Sequence, residues 1–231
     1  MNVYYQNNKA RLTKIPTVQG SDIDDIYDPM LELAAQFKDE TIIIEGFYND
    51  IVAIDSLCLG FTNAASYELT INDKKYSGLI RNEITIHDFD EPEIIESFSL
   101  TLYGLDPIYL GHLYLGNKVI LPRFLVRPNL NLNLRGERVL SDGGQSFGIK
   151  RKALESFAVS FSRISNDEKN IIKNYINSVQ NIDPHIIDPY PEARDKFPPK
   201  YAVVNTDNIP FPKRNEPDFY YDGSLSWQEV R

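Results

Sequence analysis

Between Thr41 and Leu59 the chain carries two apolar runs, Thr41-Ile42-Ile43-Ile44-Glu45-Gly46-Phe47 and Ile51 to Leu59, separated by the turn-like Tyr48-Asn49-Asp50. β-Branched side chains are stiff and pack well on a pleated surface, so the pattern predicts two consecutive strands. Ser66 to Ile71 alternates, with Tyr67, Leu69 and Ile71 on one face against Glu68 and Thr70, and Asn72-Asp73-Lys74 then supplies a hairpin turn. Shorter β-prone runs follow at Ile84 to Ile86, Ser97 to Leu102, Ile108 to Leu115, Phe124 to Arg127, Asn131 to Arg135, Glu155 to Ser162 and Ser224 to Val230. Many short strands with turn signals at close spacing predict a mainly β, antiparallel sandwich, because a parallel sheet would need a helix between successive strands.

Two helices interrupt the strands. Over Asn166 to Gln180, Ser165 is placed as N-cap, Glu168 completes a capping box, and Ile171, Ile172, Tyr175, Ile176 and Val179 recur at helical spacing. A shorter one is expected from Asp28 and Pro29 through Met30, Leu31, Leu33, Ala34 and Phe37. Of the 14 prolines, eight lie after Ile182. Each fixes φ and removes a backbone donor, which predicts an extended C-terminal arm. The division expected is therefore a leading segment (1–40), a sandwich body (41–181) that includes the helix, and a proline-rich arm (182–231) ending in a strand added to a sheet of this chain or of a neighbour.

At 231 residues the chain is long enough to bury a sizeable core, and 24 basic against 33 acidic residues give a net charge of -9. A surface of that sign disfavours nucleic acid as a partner. No segment reaches the ~18 apolar residues of a membrane span, and the first residues do not read as a signal peptide, so no membrane insertion is expected and synthesis in a cytoplasm is. The single cysteine, Cys58, lies in an apolar run and reads as a buried, inert thiol.

Candidate chemistry is sparse. Asp88-Phe89-Asp90-Glu91-Pro92-Glu93 gathers four carboxylates but lacks the glycine and spacing of a calcium loop, so it reads as a solvated acidic loop. Gly143-Gly144 reads as a hairpin or interface loop, since the phosphate-loop and dinucleotide signatures are missing. His87, His112 and His185 are too scattered for a metal site, and there is no serine nucleophile elbow. No catalytic residue, metal ligand or cofactor is therefore assigned, and the chain is not expected to be an enzyme. A two-carboxylate hydrolase is the reserve reading. Arg123, Arg127, Arg135 and Arg138, with Lys150, Arg151 and Lys152, form a basic stretch in an acidic chain. It either opposes acidic loops of another subunit or balances carboxylates within the fold.

The stretch Thr41 to Ile71, read as strand, second strand, Asn63-containing turn and third strand, resembles the discoidin-like, galactose-binding-like jelly rolls. Tyr109-Leu110-Gly111-His112-Leu113-Tyr114-Leu115-Gly116 is similar to the return strand of small tailed-bacteriophage virion proteins with that fold. The Gly143-Gly144 hairpin, the Ser156-Phe157-Ala158-Val159-Ser160-Phe161 strand and the capped helix follow in the same order. The resemblance spans about residues 40 to 180. It implies a structural component of a virion tail or neck, joined to other virion proteins and to copies of itself. On that reading Phe211, Phe219, Tyr220 and Trp227 of the arm, together with the four arginines, form subunit interfaces. The alternative is a carbohydrate-binding module for a cell-surface glycan, in keeping with 14 tyrosines, for which Tyr48 and Asn63 are the candidate saccharide contacts.

Overall fold

The computed structural model describes residues 1–5, 11–15, 35–123, 129–133, 136–140, 146–150, 154–180, 183–205 and 220–230. They form sixteen antiparallel strands and one α-helix, the mainly β architecture the alternation predicts. The chain divides into two compact units: residues 2–120 with 186–200, and Met1 with residues 121–185 and 201–230.

The first unit is built on β1 (Asn2–Tyr4), β2 (Arg11–Ile15), β3 (Ala35–Phe37), β4 (Thr41–Thr62), β5 (Ser66–Ile71), β6 (Lys74–Leu79), β7 (Ile84–Tyr103), β8 (Ile108–Gly116), β9 (Val119–Ile120) and, apart from its first residue, which belongs to the other unit, β14 (His185–Asp188). One sheet runs β3-β8-β4-β7-β5-β6, with β2 on β4. Expected breaks at Tyr48-Asn49-Asp50 and at Asp90 to Glu93 are instead bends within two long strands, β4 and β7, whose mutual register shifts between Phe47 and Val52 and again between Ile54 and Ser56. Bulges of this kind bend a strand without ending it. They also exchange its faces: Ile42 and Ile44 enter the core before the bend, Leu57 and Leu59 after it. The sheet thus folds over its own core of Ile42, Ile44, Leu57, Leu59, Leu69, Leu100, Leu102, Leu110 and Leu113, all buried. The β5–β6 hairpin forms as predicted, with Asn72 (φ 47°) and Asp73 (φ 66°) taking the two left-handed positions of a tight turn.

Gly46 faces Phe98 across β4 and β7, and the ring lies so close that a Cβ at Gly46 would overlap its Cε1 and Cζ. Gly46→Ala is therefore expected to lower stability by about 1–3 kcal/mol, as overpacking does. The check is the shift of the urea midpoint, which should shrink when Phe98→Leu is added; a shift under ~0.5 kcal/mol would mean that the ring moves freely.

A second ladder, β14-β1-β9, belongs to the same unit, with Asn2, Val3 and Tyr4 opposite Asp188, Ile187 and Ile186. Ser56, Leu57, Cys58 and Leu59 are all buried, so the middle of β4 is covered on both faces. Cys58 is the buried thiol expected, and burial pushes its pKa well up.

The other unit holds β10 (Asn129–Asn133), β11 (Gly136–Leu140), β12 (Ser146–Lys150), β13 (Leu154–Ile164), α1 (Asn166–Val179), β15 (Lys200–Val204) and β16 (Tyr221–Glu229). Its sheet runs β10-β13-β16-β15, and β11 pairs with β12. Helix α1 starts as the sequence predicts: the Ser165 backbone N–H donates to Glu168 Oε2 at 2.7 Å, and the Glu168 N–H donates to Ser165 Oγ at 3.2 Å. Ile172, Tyr175 and Val179 form its buried stripe, while Ile171, expected on that stripe, is exposed.

The 182–231 segment departs from the extended arm expected of it. Among the described residues its prolines fall at element ends, Pro184 and Pro189 flanking β14, Pro191 opening a 3-10 turn (Pro191–Ala193) and Pro198 and Pro199 preceding β15, while β16 follows the last proline of the sequence, Pro217. Tyr201, Ala202, Val204, Leu225 and Trp227 are buried. The final strand pairs with β13 of this chain, which answers the alternative left open for it. Of the helix expected from Asp28 through Phe37, residues 28–34 lie outside the described residues and Ala35–Phe37 forms β3, while the Phe124–Arg127 strand and the Gly143-Gly144 turn lie outside the described residues.

Candidate functional site

Where β7 bends, its side chains meet the β5–β6 hairpin. Asn72 Nδ2 donates to the Ile94 carbonyl at 2.7 Å, which ties the hairpin turn to β7. Gly78 lies opposite Tyr67, and its lack of a side chain admits the Tyr67 phenol, whose Oη would stand 2.8 Å from a Cβ there. That hydroxyl forms a 2.9 Å hydrogen bond with His87 Nδ1. Tyr76 sets its ring edge-on to His87 (centroids 5.7 Å) and tilted against the buried Phe89 (4.7 Å). Its hydroxyl donates to Glu93 Oε1 at 2.6 Å, and the same oxygen accepts from Lys74 Nζ at 2.7 Å. The result is a half-buried aromatic shelf, Tyr76 and His87 over Phe89, with its phenol fixed and the Glu93 carboxylate beside it. Burial moves the His87 imidazole to a lower pKa against the opposing charges of Asp88 and Asp90.

On the opposite face of β7 the same unit buries a charged cluster. Arg194 Nε donates to Asp188 Oδ2 at 2.7 Å, and its Nη2 donates to Asp88 Oδ2 at 2.5 Å. Lys118 Nζ (2.9 Å) and Ser56 Oγ (3.1 Å) donate to the other Asp88 oxygen. The Asp88 carboxyl is desolvated, yet the hydrogen bonds from Arg194 and Lys118 outweigh that and lower its pKa. Asp188 goes the other way: its side chain is wholly buried, and desolvation raises its pKa in spite of Arg194. This arrangement fastens β14 and the turn after it to β7. Every charge in it faces another within the fold, so it reads as a structural lock. No three His, Cys, Asp or Glu side chains among the described residues stand where they would hold a metal ion.

Tyr48 and Asn63, singled out in sequence as saccharide contacts, do not come together. Tyr48 is buried and donates to the Leu115 carbonyl at 2.8 Å, whereas Asn63 is exposed, donating to the Pro107 carbonyl (2.8 Å) and accepting from the Tyr109 N–H (2.7 Å). Their partners lie near opposite ends of β8, about 20 Å apart at the usual rise per residue, which is more than one sugar ring spans. Trp227, expected in a subunit interface, is buried in its own unit, stacked on Phe157 at 5.0 Å. The strand carrying it finds a partner in β13, which leaves the indole nothing to offer a neighbour. Arg123 is exposed, Tyr220 is half-buried, and Arg138 lies in β11. Phe211, Phe219, Arg127 and Arg135 lie outside the described residues. Asp88 to Glu93, expected as a solvated loop, is strand. The alternation of His87 and Phe89 with Asp88 and Asp90 is the signal that would have shown this.

No protein family matches the sequence, and no curated protein does. Solved structures are similar over half of the chain at low identity. XRCC1, solved bound to the DNA polymerase beta catalytic domain, is 9% identical over 48% of this chain and 97% of its own, with a TM-score of 0.41. The family 32 carbohydrate-binding module of Streptococcus pneumoniae EndoD is 10% identical over 50% of this chain and 99% of its own, with a TM-score of 0.40. The family 32 module of C. perfringens NanJ, solved in complex with galactose, is 11% identical over 50% of this chain and 98% of its own, with a TM-score of 0.36.

Proposed function

We propose that the protein is a saccharide-binding module and that the Tyr76 shelf is its contact surface. The observation that carries this is a half-buried tyrosine ring held rigid from three sides, by Phe89, by His87 and by its own hydrogen bond to Glu93. A pyranose ring offers an apolar face and a rim of hydroxyls, and it suits a fixed aromatic plane flanked by polar groups. Rigidity matters because little conformational freedom is then lost on binding. The sequence resemblance adds a setting, the tail or neck of a virion, in which such a module would stand among structural proteins.

Glycan-array screening followed by calorimetry tests the reading. Tyr76→Ala is expected to remove binding, whereas Tyr76→Phe, which keeps the ring and loses one hydrogen bond, should stay within about tenfold of the parent. A flat array, with no rise in melting temperature at millimolar sugar, would sink the proposal.

A further inference from the structure

We infer that Tyr67 is a positioning residue for the shelf: its buried hydroxyl holds the His87 imidazole with Nε2–H turned outward, as a fixed donor to an oxygen of the bound saccharide. This rests on the shelf reading above and names the residue that sets one of its polar contacts. Tyr67 is buried, and among the described residues its hydroxyl has one hydrogen-bond partner, His87 Nδ1 at 2.9 Å. Burial raises the pKa of this phenol, so the oxygen keeps its proton. A buried O–H without an acceptor costs free energy, which makes the phenol the donor and Nδ1 the acceptor. The ring proton then sits on Nε2. That nitrogen has no partner among the described residues and is not closed off from water. Three rings hold the imidazole in place: Tyr67 edge-on (centroids 6.2 Å), Tyr76 edge-on (5.7 Å) and Phe89 tilted (5.3 Å). At the separation of His87 from Tyr76, a pyranose lying on the phenol brings its rim oxygens to the imidazole edge.

The same arrangement makes the contact sensitive to acid. A second proton can go only to Nδ1, where it meets the Tyr67 hydrogen. The imidazolium then either turns the phenol O–H away from its acceptor or leaves its place. Around the ring, β4 sets the apolar Leu57 opposite, and Tyr67 of β5 and Tyr76 of β6 bring no charge. Lys74 and Glu93 pair with each other at the Tyr76 hydroxyl. Asp88 and Asp90 of β7 favour the cation, and Asp88 is tied to Arg194 and Lys118. Burial outweighs the two carboxylates and lowers the His87 pKa. The neutral, donating form is therefore present in full at pH 7 and is lost only as pH falls below the ordinary imidazole value of about 6.5.

The experiment uses the isotopically labelled full chain. Long-range proton–nitrogen NMR spectra at about pH 7, with the His87 signals identified by their loss in His87→Gln, should show Nε2 protonated and Nδ1 bare. The His87 titration midpoint should lie below about 6.5 and rise by about half a pH unit in Tyr67→Phe, the worth of one net hydrogen bond. Packing alone predicts no rise, since phenylalanine leaves the site at least as apolar. Calorimetry with galactose and with N-acetylglucosamine, two uncharged pyranoses, then reads the contact. Parent binding is expected to weaken about threefold or more from pH 7 to 5, and Tyr67→Phe to bind about threefold more weakly than the parent at pH 7. His87→Gln, which keeps an N–H donor and cannot titrate, should bind evenly across that range. A proton on Nδ1 at pH 7, an unmoved midpoint in Tyr67→Phe, or a parent affinity that stays level into acid would overturn the inference while leaving the shelf intact. Failure of the shelf reading looks different: neither sugar binds at any pH, or Tyr76→Ala binds as the parent does, and the inference then falls with it.

Discussion

Arg194→Ala is expected to lower stability by about 3 kcal/mol, the largest loss of any single polar substitution in the first unit. Its guanidinium holds Asp88 and Asp188 together, and Asp188 is wholly buried with Oδ1 lacking a hydrogen bond even in the intact protein. Without Arg194 that carboxylate must either remain charged in an apolar setting or take up a proton. Breaking a buried pair costs about 3–5 kcal/mol, and the lower end applies because the Arg194 side chain is 25% exposed. The double variant Arg194→Met with Asp188→Leu removes both charges and should recover most of the loss, with Lys118 still holding Asp88. Urea melts with an unchanged m value are the measurement. A single variant within 1 kcal/mol of the parent would show that water reaches Asp188 once Arg194 is gone.

Stability is expected to fall by roughly 3 kcal/mol between pH 6.5 and 4, through His185. Burial pushes this imidazole down to about 4, with the Asp183 carbonyl hydrogen bond opposing. Its Nε2 lies 2.5 Å from the Tyr175 hydroxyl, which in turn accepts from Trp227 Nε1 at 2.8 Å. The unfolded chain binds a proton at about pH 6.5 and the folded chain does not until about 4. The stabilisation is therefore complete above pH 6.5 and is lost progressively as pH falls toward 4. Asp88, with its pKa lowered, loses its own contribution below the ordinary carboxylate range, so the two windows separate. Denaturant midpoints across the range should slope in the parent and flatten in His185→Gln, with the slope that remains assigned by His87→Gln. A parent whose midpoint is level from pH 7 to 4.5 would contradict the buried, neutral His185.

What could be read in the sequence was local. The Asn72-Asp73 hairpin and the Ser165–Glu168 capping box form within a few residues, and their side chains dictate backbone geometry directly. The long strands β4 and β7 were hidden because an exposed bend uses the same polar residues as a turn, as Tyr48-Asn49-Asp50 and Asp90-Glu91-Pro92 show. The shelf escaped for another reason: Tyr67 and Tyr76 reach His87 from 20 and 11 residues away, across a fold whose register no single segment encodes. Prolines misled most, since a proline-rich stretch reads as an arm, yet the gaps from Pro184 to Pro189 and from Pro199 to Pro210 each accommodate a short strand.

The chain's single tryptophan lies wholly within the unit of residues 121–185 and 201–230, stacked on Phe157 and hydrogen-bonded to Tyr175. Its emission is thus a spectral label for that unit alone, present without chemical modification. Denaturation followed by indole fluorescence traces one unit, whereas far-ultraviolet ellipticity traces both. Coincident curves then mean that the two halves of the chain melt as one cooperative block, and separated curves give each its own midpoint.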